Sequence, residues 1–394
     1  MKDLDSSVGN NKPHTKYNAT QKFTFFGLAL LWLSVNAICL YRFGIVTDYE
    51  SIKYIANADL LVKEGHFMSP QFYLYSVQIL LIAFSKTTGT FPILPVVIQL
   101  WVNAYATFCF YRVIVLLNGR KKIAAITTAV FISMVYYQLY NTHLFTESLY
   151  FSFSIIFFSK LLKINRLYSI EIYGVILLLI LLYFTRPVGV FFIAATFIFI
   201  TLKFFRKRAI QIFTFVGIFF LLLFTILINL SLNIGGTFDF LLPFSEAHII
   251  CGVPTISPPH QLSVPIEKNS IQGILYVVTH YWDLYFPLMI KRFFAFWGVT
   301  RPYFEKWHNL ILSFYFYTTY IVIAFGIKNW RHHDAPVIAF ALCMASLTMF
   351  SALLACDDWH NRFILSIFPI LLILSTYAFK EKRVTSYSCY NTKA

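Results

Sequence analysis

The chain has 394 residues, 58% of them hydrophobic and only 12% charged, with 44 phenylalanines and 25 tyrosines. That balance is too apolar for a soluble domain of this length and places the chain in a membrane. The net charge of +15 does not indicate nucleic acid as a partner, because the basic residues gather in short loops between apolar runs, the pattern that orients a membrane protein among its lipids.

Taken in order, residues 1–22 are polar and lack a small-residue cleavage site, so they read as a disordered cytoplasmic tail before an uncleaved span. Membrane-length runs follow near residues 23–43, 92–117, 123–140, 147–162, 170–185, 188–203, 209–232, 308–327, 335–355 and 363–379. The expected fold is therefore an all-α polytopic membrane protein of about ten transmembrane helices. A further apolar run at residues 71–88 is read as interfacial or re-entrant. If it does not cross, the basic loops Arg120 to Lys122, Lys160 to Arg166, Lys203 to Arg208, Lys328 to Arg331 and Lys380 to Arg383 all fall on the side of the N-terminal tail. Both termini are then cytoplasmic, residues 381–394 form a second tail, and the acidic loops face the exterior or periplasm. The cysteines show no paired short spacing and fall mostly inside apolar runs, so packing is their expected role.

Between the first two spans lie residues 44–91, an outer loop that opens with GIVTDYESIKYIANADLLVKEGHFMSP. Tyr54, Ile55, Ala58, Leu61 and Val62 recur at helical spacing among Asp48, Glu50, Asp59 and Glu64, which predicts an amphipathic helix on the membrane surface. Its acidic start stands where the first span leaves the membrane, and the stretch reads as a catalytic loop. A second outer loop, residues 233–308, carries aromatic helical stretches such as ILYVVTHYWDLYFPLMIKRFFAFWG.

Ionisable groups at the ends of apolar helices mark candidate sites. Glu147, beside His143, opens the fourth span, where it either caps the helix or faces a substrate. Arg186 ends the fifth span before Pro187 and either snorkels to headgroups or binds phosphate. Asp358, His360 and Arg362 crowd the turn before the last span; a helix N-terminus with a guanidinium suits an anion, and an Arg362 to Asp358 surface pair is the plainer reading. Arg292 and Arg301 stand in the basic, aromatic part of the large loop. Tyr54 and His66 complete the substrate-binding candidates. Such carboxylates and arginines, open to lipid and water, suit a reaction in which a lipid-linked phosphate leaves while a carboxylate takes the proton of an attacking hydroxyl.

From about residue 23 to 380 the order of these features resembles the membrane glycosyltransferases of the C-type fold, which include protein mannosyltransferases and the aminoarabinose transferases of lipid A. The resemblance rests on TDYESIKYIANADLL, SPQFYLY, TES at the fourth span, TRP between the fifth and sixth, and DWHNRFILSIFP at the last. It implies a polyprenyl-phosphate sugar donor, a lipid, glycan or protein acceptor, and a first-loop acid as base. Asp48 is assigned that role, with Glu50 as the other candidate because the family often spaces the acid four residues before Tyr. No clear DxD metal motif is present, and no metal or other cofactor is assigned. A polysaccharide polymerase or ligase, or a lipid or sugar transporter, are the alternatives; the first would carry its catalytic loop late in the chain, the second its charges near mid-membrane in repeated halves.

Overall fold

A backbone in hydrocarbon must satisfy its N–H and C=O groups internally, and this chain does so with helices. The computed structural model describes residues 19–234, 241–265, 270–331 and 334–380, so most of both expected tails lies outside the described residues. The helices are α1 (Ala19–Phe43), α2 (Glu50–Glu64), α3 (Ser76–Thr87), α4 (Ile93–Asn118), α5 (Lys121–Ser133), α6 (Val135–Gln138), α7 (Glu147–Lys163) and α8 (Ile170–Thr185). They continue as α9 (Val190–Phe204), α10 (Ala209–Ile234), α11 (Leu242–Ser245), α12 (Ile271–His280), α13 (Trp282–Gly298), α14 (Lys306–Gly326), α15 (Ala335–Leu354) and α16 (Arg362–Ser375). Among the described residues the only β pairing is two isolated bridges, Val46 with His143 and Ile250 with Asp357.

The molecule is an all-α polytopic membrane protein, with seven helices among the described residues long and apolar enough to cross a bilayer. Three of the ten expected spans differ from straight membrane-length helices. Helices α7 and α8 have 17 and 16 residues, about 25 and 24 Å at 1.5 Å per residue. The run at 123–140 bends by 65° between α5 and the following helical turns. The bend has a local cause: Met134 leaves helical geometry, and the Ser133 hydroxyl turns back to the Val130 carbonyl at 3.1 Å, competing with the helical ladder.

Polar bonds show that successive long helices run between two ends of one bundle. At one end Asn118 donates to the Thr376 carbonyl (2.6 Å), Asn329 to the Tyr377 carbonyl (2.9 Å), Lys203 to the Leu162 carbonyl (3.0 Å), and Lys380 pairs with Asp334 (2.7 Å). Buried aromatic residues fill the space between: Phe157 and Phe158 on α7, Phe192 and Phe199 on α9, and Phe340 on α15 pack as one cluster.

Helices α2 and α3 pack on each other beside this bundle. The buried face of α2 is Ser51, Tyr54, Asn57 and Ala58, which recur at helical spacing as the sequence predicts. Helix α3, within residues 71–88, has 12 residues, about 18 Å and well short of a hydrocarbon core of about 30 Å. Two cysteines depart from the packing expectation: Cys251 and Cys356 form a disulfide across 105 residues, a separation that short-spacing patterns do not capture. Cys39 and Cys109 are free and buried, as a packing role requires.

Candidate functional site

At the opposite end of the bundle, four helix termini converge. Glu50 is the first residue of α2, Glu147 the first of α7, Arg186 the residue after α8, and Arg362 the first of α16. Acidic residues suit a helix N-terminus; a guanidinium there has the wrong sign for the helix dipole. Arg362 offsets this by bonding three carboxylates at once. It meets Glu50 in two prongs, Nη1 to Oε2 and Nη2 to Oε1, the latter at 3.2 Å. Its Nε and Nη2 hold the two oxygens of Asp358 at 2.7 and 2.6 Å, and Nη1 reaches Glu147 at 2.9 Å. Arg186 donates to the same Glu147 oxygen at 2.6 Å.

Each charge is positioned by local backbone chemistry. Val46 N–H donates to the Thr142 carbonyl (3.0 Å) and Leu144 N–H to the Val46 carbonyl (3.1 Å), which clamps the start of the first loop against the entry to α7. Between Asp48 and Glu50, Tyr49 takes a φ of 55°, a left-handed conformation that is costly for an aromatic residue. Asp48 points out and is exposed, its backbone carbonyl accepting from Ser51 N–H at 3.1 Å while its side chain bonds nothing among the described residues. Glu50 points in. Arg186 sits on a sharp reversal in which Pro187 begins a new turn and Gly189 packs against α8 so closely that a Cβ would lie 2.3 Å from the Leu182 carbonyl oxygen. Asn361, at φ 57°, adopts the left-handed conformation that Asn tolerates best after Gly and donates to the Val299 carbonyl at 2.6 Å, aiming Arg362 at the cluster.

The carboxylates differ in access. Side-chain exposure is 0% for Glu147, 12% for Asp358 and 33% for Glu50. Burial pushes the Glu50 carboxyl up, but the Arg362 guanidinium, with help from Lys53 and Arg186, holds it below its ordinary value. The same contest at Asp358, between burial and Arg362, leaves that group at about 2. Tyr54 lies against the cluster with its ring 5.6 Å from that of Tyr75 and Lys53 over its face at 5.1 Å. Burial, then the Glu50 charge, keeps its hydroxyl well above the ordinary range.

The structure thus brings together Glu50, Tyr54, Glu147, Arg186, Asp358 and Arg362. Glu147 is no simple cap: Thr146 makes no side-chain capping bond, and the carboxylate faces two arginines. Arg186, 14% exposed, lies over the Tyr150 ring at 5.9 Å, which is an inward arrangement rather than a snorkelling one.

Other candidates stand apart. His66 is exposed and paired with Glu64 at 3.1 Å, at the far end of α2 and about 20 Å from Glu50 along the helix. Arg292 is buried against four backbone carbonyls, those of His248 (2.8 Å), Leu353 (2.9 Å), Pro243 (2.9 Å) and Leu354 (3.5 Å), and burial pushes it down to about 10. Arg301 pairs with Asp357 under the turn. His360 supports Asp358 through its backbone N–H at 3.0 Å, while its exposed ring stacks over Phe304 at 6.4 Å. Two residues join the site without being singled out from sequence. Lys53 pairs with Glu50 at 3.4 Å, a relation visible as an i,i+3 spacing, and Tyr75 lies in the SPQFYLY stretch. Among the described residues no group of three or more His, Cys, Asp or Glu side chains has a metal-holding arrangement. The chain matches no family model, no curated protein and no solved structure.

Proposed function

We propose that this protein is an integral-membrane glycosyltransferase that moves a monosaccharide from a polyprenyl-phosphate donor to a lipid, glycan or protein acceptor, on the C-type architecture. The observation that carries the reading is the unequal access of three carboxylates that share Arg362. Only Glu50 keeps a third of its side chain open (33%), whereas Glu147 is sealed. Glu50 rather than Asp48 is therefore the proposed base, with Glu147 and Asp358 fixing the arginines.

The chemistry balances on these groups. As the acceptor hydroxyl attacks the anomeric carbon, its proton passes to a Glu50 oxygen and the bond from the anomeric carbon to the phosphate oxygen breaks. The phosphate leaves with the electron pair, and the Arg362 and Arg186 N–H groups bind it. A donor phosphate competes with Glu50 for Arg362, so its arrival releases the carboxylate for proton transfer. No metal or other cofactor is assigned.

Two independent features support the proposed sidedness. The basic loops define one face, proposed as cytoplasmic. The Cys251–Cys356 disulfide adjoins Asp357 at the opposite, carboxylate-bearing end, and disulfides persist in oxidising compartments, which supports an exterior or periplasmic site.

The test uses purified protein with a polyprenyl-phosphate sugar and candidate acceptors, following release of polyprenyl phosphate. Mass spectrometry of surface glycans with and without the gene identifies the sugar. Release dependent on acceptor and lost in Glu50→Gln is expected; equal release by that variant overturns the reading. Donor bound and moved across the bilayer without cleavage favours a transporter instead.

A further inference from the structure

At the end of the bundle away from Glu50, helices α1, α4, α5 and α7 border a groove of about 310 Å³ that the transfer chemistry does not use. Its walls include Phe25 of α1 and Phe108 of α4, with Ser159 of α7 at its side. Three cations reach it: Arg112, six residues before the end of α4, Lys121, the first residue of α5, and Lys163, the last of α7. All three are exposed, and none forms an ion pair among the described residues. The Arg112 guanidinium lies instead over an aromatic face, that of Phe108 at 5.6 Å.

This arrangement differs from an ordinary basic loop in two respects. The cations come from three separate helices and converge on one cavity. Arg112 stands about 9 Å inside the helix end, at 1.5 Å per residue, so its guanidinium is drawn to the level of phosphates while its stem and the aromatic walls remain among acyl chains. At the same end Lys380 pairs with Asp334 and Lys203 bonds the Leu162 carbonyl. Among the described residues these three cations have no acid partner, and they surround one cavity. A site with that charge and that depth fits a molecule with a phosphate at the interface and a hydrocarbon tail below it.

We propose that the groove binds an anionic phospholipid, with the phosphate among Arg112, Lys121 and Lys163 and an acyl chain along Phe25 and Phe108. The site lies about 25 Å from the carboxylate cluster, the length of α7, and is independent of the transfer reaction. The lipid occupies the wedge between α1 and the α4 and α7 pair and holds the first span against the bundle.

The test is native mass spectrometry of the full-length protein in detergent, titrated with phosphatidylglycerol or phosphatidylcholine. The wild type is expected to retain one phosphatidylglycerol at least about tenfold more tightly than phosphatidylcholine. With roughly a fivefold loss for each basic residue removed near the surface, Lys121→Gln with Lys163→Gln weakens retention by about 25-fold. Both side chains are exposed, so folding survives. Lys207→Gln with Arg208→Gln, exposed basic residues away from the groove, leaves retention unchanged. Equal retention of the two lipids, or equal losses in the two double variants, overturns the proposal. Displacement of the lipid by millimolar glycerol phosphate also overturns it, since the groove then takes phosphate without a tail.

Discussion

Glu50 and Arg362 are 312 residues apart in the chain and meet in a two-pronged ion pair that joins the first surface helix to the last membrane helix. The pair is the hinge of the proposed chemistry, because a donor phosphate and the Glu50 carboxylate compete for the same guanidinium edge. It also separates two neighbouring acids. Asp48→Asn removes an exposed charge with no side-chain partner among the described residues and is expected to leave turnover within a fewfold of wild type. Glu50→Gln removes the proposed base and is expected to lower turnover by at least about a hundredfold. Steady-state assays of both purified variants decide; the reverse ranking returns the base to Asp48.

Much of this site is legible in the amino-acid sequence, for a physical reason. Charges at the ends of apolar runs have no cheap place to go, so Glu147, Arg186 and Arg362 stand out by their setting alone. The side of the surface helix that faces the bundle follows from the spacing of Tyr54 and Ala58. Direction within two residues is not legible in the same way. The inward turn of Glu50 depends on the left-handed backbone at Tyr49, and no periodicity encodes a single φ of 55° at an aromatic residue. Arg292 and Arg301 are equally opaque: an arginine bound to carbonyls or to a buried aspartate has the same local sequence as one facing a substrate. The bend at Met134 breaks an apolar run whose composition is continuous, and the Cys251–Cys356 pairing depends on contacts far along the chain.

Glu147 serves two arginines from a site with no solvent access, so its loss strands positive charge in a low-dielectric setting. Glu147→Gln keeps the shape and removes the charge. It is expected to destabilise the protein by about 3 to 5 kcal/mol, the usual effect of breaking a buried pair by removing one partner. Glu64→Gln, at the exposed pair with His66, is expected to change stability by less than about 0.5 kcal/mol. Thermal unfolding in one detergent compares them, and indistinguishable shifts would refute the idea that Glu147 anchors the cluster.

The Cys251–Cys356 disulfide closes a loop of about a hundred residues and is flanked by backbone bonds from Cys251 N–H to the Asp357 carbonyl (2.8 Å) and from Asp357 N–H to the Ile249 carbonyl (2.9 Å). It therefore ties the large loop to the turn that supplies Asp358. Cys251→Ser with Cys356→Ser is expected to lower stability by about 2 to 5 kcal/mol and to weaken donor binding. Melting curves with intact and reduced protein measure the first effect. Unaltered melting after complete reduction, verified by thiol labelling, would show that the backbone bonds alone hold the turn.

Acid should weaken the cluster late. Asp358 is held at about 2 in the folded protein against an ordinary 3.8, and Glu50 is also lowered. Groups with depressed values contribute stability that is complete above their unfolded values and is lost as pH falls through the folded ones. The Asp358 contribution is therefore constant from pH 7 down to about 4 and disappears between about 4 and 2. Denaturant melts at stepped pH should show no loss from these groups above about 4.5 in the wild type. Asp358→Asn should be less stable near neutrality, and its difference from wild type should shrink below pH 4. A difference that stays constant to pH 2 would mean that Asp358 is not selectively stabilised as an anion.

Arginine at positions 186 and 362 offers forked donors where lysine offers a point charge, and the two residues differ in how much they use that fork. Arg362 fills both prongs against Glu50 and reaches Asp358 and Glu147 besides, whereas Arg186 bonds Glu147 through a single nitrogen. If both take the donor phosphate, Arg362→Lys loses the forked contact and the order of the turn together, while Arg186→Lys loses mainly the phosphate contact. Arg186→Lys is accordingly expected to keep its stability, since an ammonium still faces Glu147, but to bind the donor about tenfold more weakly, the size of one charge-assisted hydrogen bond of roughly 1.4 kcal/mol. Arg362→Lys is expected to weaken donor binding further and to lower the melting temperature as well. Direct titration with a polyprenyl-phosphate sugar, run beside thermal unfolding, separates the two effects. If Arg186→Lys binds the donor as the wild type does, Arg186 serves only to neutralise Glu147, and the phosphate site reduces to Arg362 and the N-terminus of α16.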